Sequence, residues 1–171
     1  MMTAAQRTVP PIAGPEKEML IGYLNLQRDT LRWKLDGLDD EQLRRQHAPS
    51  GLTLLGLAKH LADVERSWFR ERVVGEDLAY LWDDTDPQRY WRIEPDDTTG
   101  DIVAAYRIEC AAADAIIRER DLDSTVAAPP PWSGSEAMTL RWVVLHMIEE
   151  TARHVGHADL IREAIDGATG E

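Results

Sequence analysis

Apolar residues recur at steps of three and four along four separate stretches of the chain, the spacing that gathers side chains on one face of an α-helix. The first stretch opens at Pro15 and Glu16 and carries Leu20, Leu24, Leu31 and Leu35, with Gln27 as a polar interruption and Gly37 at its end. A second follows the turn-rich segment around Pro49 and Gly51, with Thr53 as N-cap, Leu54, Leu57, Leu61, Val64 and Trp68 as its stripe, and an end near Gly75. The third starts at Thr98 or Thr99 and carries Ile102, Val103, Tyr106, Cys110, Ala113 and Ile117. Thr139 caps the fourth, which runs from Leu140 to about Ile165 and stops before Gly167.

Between these stretches the helical period breaks. Residues 76–98 mix Tyr80, Trp82, Tyr90 and Trp91 with Asp83, Asp84, Asp86, Pro87 and Pro95, and residues 121–137 contain three consecutive prolines from Pro129. Neither can be a helix interior. The first is read as a long crossover whose aromatics pack on the helices, and its acidic run as a solvated turn, since it lacks the glycine and distal glutamate of a calcium loop. No stretch alternates like a strand. The expectation is an all-α fold, a four-helix bundle with long connections between helices two and three and between three and four. Residues 1–14 form a loose arm and residues 15–167 the single bundle domain.

Composition narrows the use of such a bundle. With 171 residues and 43% hydrophobic content the chain can bury one sizeable core. A net charge of −12 argues against nucleic acid and anionic membranes as partners. No apolar run approaches the roughly 20 residues that span a bilayer, and the start of the chain lacks an apolar signal core, so a cytoplasmic location is expected. The single cysteine, Cys110, lies in an Ala-rich helical stretch and reads as a buried small hydrophobe rather than a catalytic thiol.

Chemistry concentrates on the fourth helix. At 100° per residue, His154, His157 and His146 all lie within about 40° of Glu150 on the wheel, whereas Glu149 lies off that face. Val143 and Ile161 share the stripe, so the polar groups sit in apolar surroundings and call for a compensating partner. A divalent metal satisfies a carboxylate and an imidazole four residues apart on adjacent turns. A third ligand must come from elsewhere, and His60, on the inner side of the second helix, suits better than His47 in a turn. His60, Glu150 and His154 are the expected metal ligands; a buried hydrogen-bond network is the bland alternative. Three protein ligands leave coordination positions open, as in a catalytic rather than a structural site.

Two segments in combination, Leu54-Leu55-Gly56-Leu57-Ala58-Lys59-His60-Leu61 with Glu65, and Leu140-Arg141-Trp142 through His146, Glu150, His154, Val155, Gly156 and His157, resemble the DinB-like superfamily. Within it the chain is similar to the actinobacterial branch akin to mycothiol-dependent transferases and maleylpyruvate isomerase. The resemblance covers nearly everything after residue 15. It implies an up-down-down-up bundle and a metal held by one histidine of helix two and a pair four apart on the last helix. In many relatives that pair is two histidines; here its first member is Glu150, as in the isomerase branch. His157 stands where many relatives have glutamine, which leaves it as a neighbour of the ligands, a proton carrier or a fourth ligand.

What the resemblance implies for function is a metal-dependent thiol S-transferase, in which the metal activates the thiolate of a mycothiol-type cofactor toward a small electrophile. Zinc is the first choice of metal, with nickel, iron or manganese also compatible with two imidazoles and a carboxylate. His157 and Asp63 are candidates to support the ligands. The competing readings are a metal-dependent hydrolase using bound water and a non-catalytic metal-binding bundle acting in stress response. A homodimer is compatible with a bundle of this size, though no residue pattern fixes its interface.

Overall fold

The structure is a computed structural model and describes residues 6–47, 50–79, 81–82, 90–134 and 136–169. The acidic residues Asp83, Asp84 and Asp86, together with Tyr80 and the first five residues of the arm, lie outside the described residues.

All four expected helices are present: α1 is Glu16–Leu35, α3 is Leu54–Glu65, α4 is Thr99–Glu119 and α5 is Leu140–Asp166. The hydroxyls of Thr53, Thr98 and Thr139 accept from the backbone N–H groups of Gly56, Asp101 and Trp142, which satisfies donors that have no carbonyl partner within the helix. Gly75 and Gly167 end their helices in the left-handed conformation that costs glycine little. Two features were not expected. A short helix α2, Asp40–Arg44, follows α1 behind a capping box of Asp39 and Gln42. The second bundle helix changes to π-winding over Arg66–Val74.

Ion pairs and hydrogen bonds fix the helix directions. Arg141 near the start of α5 pairs with Glu16 at the start of α1, and Arg162 near its end donates to the carbonyls of Lys34 and Asp36, so α1 and α5 run parallel. Lys17 instead reaches the carbonyls of Arg118 and Arg120 at the far end of α4, which is therefore antiparallel to α1. Along α3 and its π extension, Lys59 meets Asp97 and Arg66 meets Glu109, so this element runs with α4. The order is up, down, down, up.

The core has two lobes. One packs Leu55, Leu61, Tyr106, Val155 and Ile161 with Trp82 and Trp91 from the crossover, as expected of its aromatics. The other packs Leu24, Phe69, Ile117, Val143 and Met147. Arg28 is fully buried where the helices meet. It donates to both carboxylate oxygens of Glu65, at 2.7 and 2.6 Å, and to Asp114 and Asn25, at 2.7 and 2.9 Å. The second connection is held by its backbone: Ala127 and Ala128 donate to the carbonyls of Val73 and Arg72, and an isolated bridge joins Thr125 to Thr139. No helix among the described residues is long and apolar enough to cross a membrane.

Candidate metal centre

α3 and α5 run antiparallel and bring His60 opposite the turn of α5 that carries Glu150 and His154. The Oε1 atom of Glu150 lies 3.0 Å from His154 Nε2 and 3.4 Å from His60 Nε2. One nitrogen from each imidazole and one carboxylate oxygen all lie within 4.8 Å of one another. Among the described residues this is the one such trio of His, Cys, Asp and Glu side chains.

Its environment favours neutral imidazoles. Burial, helped by the neighbouring His154, lowers the His60 pKa to about 4. Burial also lowers that of His154, against the attraction of Glu150. Burial alone would raise the Glu150 carboxyl, but His154 and His60 more than offset it, so Glu150 titrates below the ordinary glutamate range. At neutral pH the trio therefore presents two neutral imidazoles, whose Nε2–H groups can donate to Glu150, and one carboxylate.

A strap from the crossover closes one side. The Trp91 ring stacks on His60, with centroids 3.7 Å apart and planes 18° from parallel, and meets His154 edge-on. Gly56 permits the strap to sit this close, because a Cβ there would lie 2.4 Å from the Trp91 carbonyl oxygen. Lys59, fully buried, clamps the strap by donating to Asp97 at 2.5 Å and to the Arg92 carbonyl at 3.0 Å. Beside the trio opens a cavity of about 810 Å³, lined among others by Arg44, Trp91, Arg92, Arg153, His154 and His157.

The remaining candidates separate clearly. His157 Nδ1 lies 3.3 Å from His154 Nδ1, so His157 adjoins the trio through the ring nitrogen of His154 that does not face Glu150. Asp63 takes its electrostatic surroundings from Glu71, Arg66 and Glu109, and burial raises its pKa to about 6; none of those groups belongs to the trio. His146 stacks on Trp142 and meets Trp68 edge-on. His47 is exposed. Cys110 is buried and its thiol is pushed up to about 12 by burial, which leaves no thiolate at neutral pH.

A family model described as mycothiol-S-transferase matches residues 19–167, a span that contains every residue of the trio, its strap and its cavity. The chain belongs to the mycothiol S-transferase family. No individually curated protein matches it at a significant level. The family match agrees with the DinB-like resemblance carried by the segments around His60 and Glu150–His157. This mycothiol S-transferase family member thus has an open cavity that His154 of the trio lines together with His157 and three arginines. Trp91, Gly56 and Lys59 were missed as parts of the site. The signals were a glycine in the first turn of a helix and a lysine on an apolar helix face, both in the stretch Leu54–Leu61.

Proposed function

We propose that this protein is a metal-dependent thiol S-transferase that uses mycothiol or a closely similar thiol, with His60, Glu150 and His154 holding zinc or a similar divalent ion. The observation that carries the reading is the trio itself. Bonds of 2.0–2.2 Å to a tetrahedral ion place donor atoms about 3.3 Å apart, close to the 3.0 and 3.4 Å that separate Glu150 from the two imidazoles. Donor type fits too: both imidazoles are neutral at neutral pH, so each can give up its Nε2 proton to its other nitrogen and offer a lone pair to an ion, and a carboxylate with two imidazoles leaves at least one position for an exogenous ligand. When bound, the ion would lower the pKa of a coordinated thiol and so supply a thiolate.

The chain's own residues do the rest. Were Nε2 of His154 to hold the ion, its proton would lie on Nδ1 and be donated to Nδ1 of His157, which would fix the tautomer and ring plane. Trp91 covers His60 and excludes water from that side. The cavity's arginines and the Nε2–H of His157 offer donors to the hydroxyl and carbonyl oxygens of a sugar-bearing thiol, and the proton that the thiol loses passes to solvent. Sulfur then attacks the electrophilic carbon as the leaving group departs with its electron pair.

Elemental analysis of protein purified without a histidine tag tests the reading, with wild type compared with His154→Ala and Glu150→Gln. Near-stoichiometric metal in wild type, lost in both variants, together with consumption of mycothiol when an electrophile is added, is the expected result. A folded wild type that takes up neither zinc nor nickel would overturn it. Substrate turnover that proceeds equally without thiol would favour hydrolysis by bound water instead.

A further inference from the structure

The cavity of about 810 Å³ that His154 and Trp91 line differs in charge from the rest of the chain. Aspartate and glutamate outnumber lysine and arginine by 31 to 19 overall. Among the described residues, however, the lining holds Arg44, Arg92 and Arg153 with His154 and His157, and no carboxylate. The three arginines come from three elements: Arg44 ends α2, Arg92 follows Trp91 in the strap, and Arg153 precedes His154 on α5.

Each guanidinium is held by a carboxylate that does not line the cavity. Asp40 accepts from Nε of Arg44 at 2.8 Å, Glu94 from Nε of Arg92 at 2.6 Å, and Glu149 pairs with Nη2 of Arg153. Arg44 also donates from Nη2 to the Asp97 carbonyl, 2.6 Å away, which fastens the end of α2 to the strap. A guanidinium has five N–H donors, of which one carboxylate takes at most two in a fork. These bonds do not use Nη1 of Arg44, nor Nε and Nη1 of Arg153. Arginines already anchored in this way lose less side-chain freedom on meeting a ligand. Position ties the cavity to the trio: His154 belongs to both, and Trp91 stacks on His60 while lining the cavity. Ligand pockets commonly measure about 300–1,000 Å³, so one near the top of that range takes a thiol with a small second substrate beside it. Apart from its sulfur, mycothiol carries no ionised group, and its oxygens call for hydrogen-bond donors rather than for a concentration of positive charge.

We propose that Arg44 and Arg153 recognise a carboxylate on the electrophile, so that small anionic second substrates are preferred over neutral ones of the same shape. The inference rests on the thiol-transfer reading. Arginine suits the task because its planar fork matches a carboxylate and its charge is weakly hydrated. With N-iodoacetylglycine as probe, the thiol's sulfur bonds to the carbon bearing iodine, the C–I bond breaks, iodide leaves with the electron pair, and the thiol proton passes to solvent. The probe's carboxylate takes no part in these bond changes.

The test measures kcat/KM for N-iodoacetylglycine and for its neutral counterpart N-iodoacetylglycinamide, with metal-loaded protein and mycothiol, and divides their ratio by that of the uncatalysed reactions. The acid is favoured about tenfold in wild type, through KM, and the preference shrinks at high salt. It is lost when Arg44→Gln and Arg153→Gln are combined, whereas Arg153→Lys, which keeps the charge without the fork, retains part of it. No preference in wild type overturns the proposal, and so does a preference that the arginine variants leave unchanged. A second comparison uses N-acetylcysteine and N-acetylcysteinamide as thiols with iodoacetamide as electrophile. A preference for the anionic thiol in place of the anionic electrophile overturns the assignment to the second substrate. A separate arm omits metal and thiol and titrates unreactive N-acetylglycine or N-acetylglycinamide into isotope-labelled protein by NMR. Saturable shifts of the Trp91 indole signal with the acid alone, lost in the double variant, support the anion site even if no electrophile is consumed, in which case the transfer reading alone fails. Equal shifts with the two ligands overturn the site.

Discussion

Gly56→Ala tests how the strap and the His60–Glu150–His154 trio depend on each other. A methyl group at this position would sit 2.4 Å from the Trp91 carbonyl oxygen and 3.0 Å from the Thr53 hydroxyl. Ordinary contact needs about 1 Å more than the first of these distances, so the strap must lift by roughly that amount. Overpacking of this kind costs about 1–3 kcal/mol, against which alanine regains about 1 kcal/mol of helix propensity. The net expectation is a loss of about 0–2 kcal/mol, small enough for the variant to fold. The larger effect falls on His60, because lifting Trp91 lets water reach the ring. Burial is the leading cause of its pKa of about 4, so exposure must raise it toward the ordinary 6.5. Histidine titration by NMR on metal-free protein should show His60 rising by about one unit. The stability that wild type owes to a neutral His60 is present above about 6.5 and lost as pH falls toward 4, and this loss should be smaller in the variant. A Gly56→Ala protein more stable by about 1 kcal/mol, with His60 titrating as in wild type, would refute the close seating of the strap.

Three further outcomes follow from groups away from the strap. Glu65→Leu removes the buried one of the two carboxylates that face fully buried Arg28 and should cost about 3–5 kcal/mol, or about 6–20 °C in Tm, while Arg28→Met combined with Glu65→Leu loses far less; strict additivity of the two single variants in a thermal-melt cycle would contradict this. Asp63 is held above its ordinary pKa, so ionising it costs stability that is intact below about 4 and lost as pH rises through about 6. Asp63→Asn should therefore stabilise the protein at pH 8 by about 1–2 kcal/mol, after allowance for its partial exposure, and by almost nothing at pH 4, as read from urea midpoints. Lys59→Met frees Asp97 and should release the strap, seen as increased proteolysis within residues 90–97 and weaker zinc binding by calorimetry.

The parts of the molecule legible in the sequence are those set by local rules. Thr53, Thr98 and Thr139 mark helix starts because their hydroxyls satisfy backbone donors a few residues on, and Gly75 and Gly167 mark ends because only the local conformation matters there. Glu150 and His154 could be paired because one helix carries both. What the sequence did not reveal depends on partners far along the chain. Lys59 reads as an error in an apolar stripe until Asp97 is placed above it. The stretch Arg66–Val74 has the composition of an ordinary helix, and nothing local distinguishes i→i+5 from i→i+4 bonding. The Asp39 and Gln42 capping box was readable from its spacing, but the helix behind it is five residues long, below the length at which a hydrophobic period can show.

The first and last helices of the bundle lie side by side and parallel, which makes the seam between Glu16–Leu35 and Leu140–Asp166 the most distant pairing in the chain. Contacts of such separation carry the greatest loop-closure cost and form slowly. Glu150 and His154 belong to the helix that must close this seam, whereas His60 sits in the middle of the chain. Closure of the seam should therefore bring Glu150 and His154 to His60 together and late in folding. Opening of the seam would carry Glu150 and His154 away from His60 together, so if the trio holds zinc as proposed, amide exchange along α5 should slow as a unit when zinc is added.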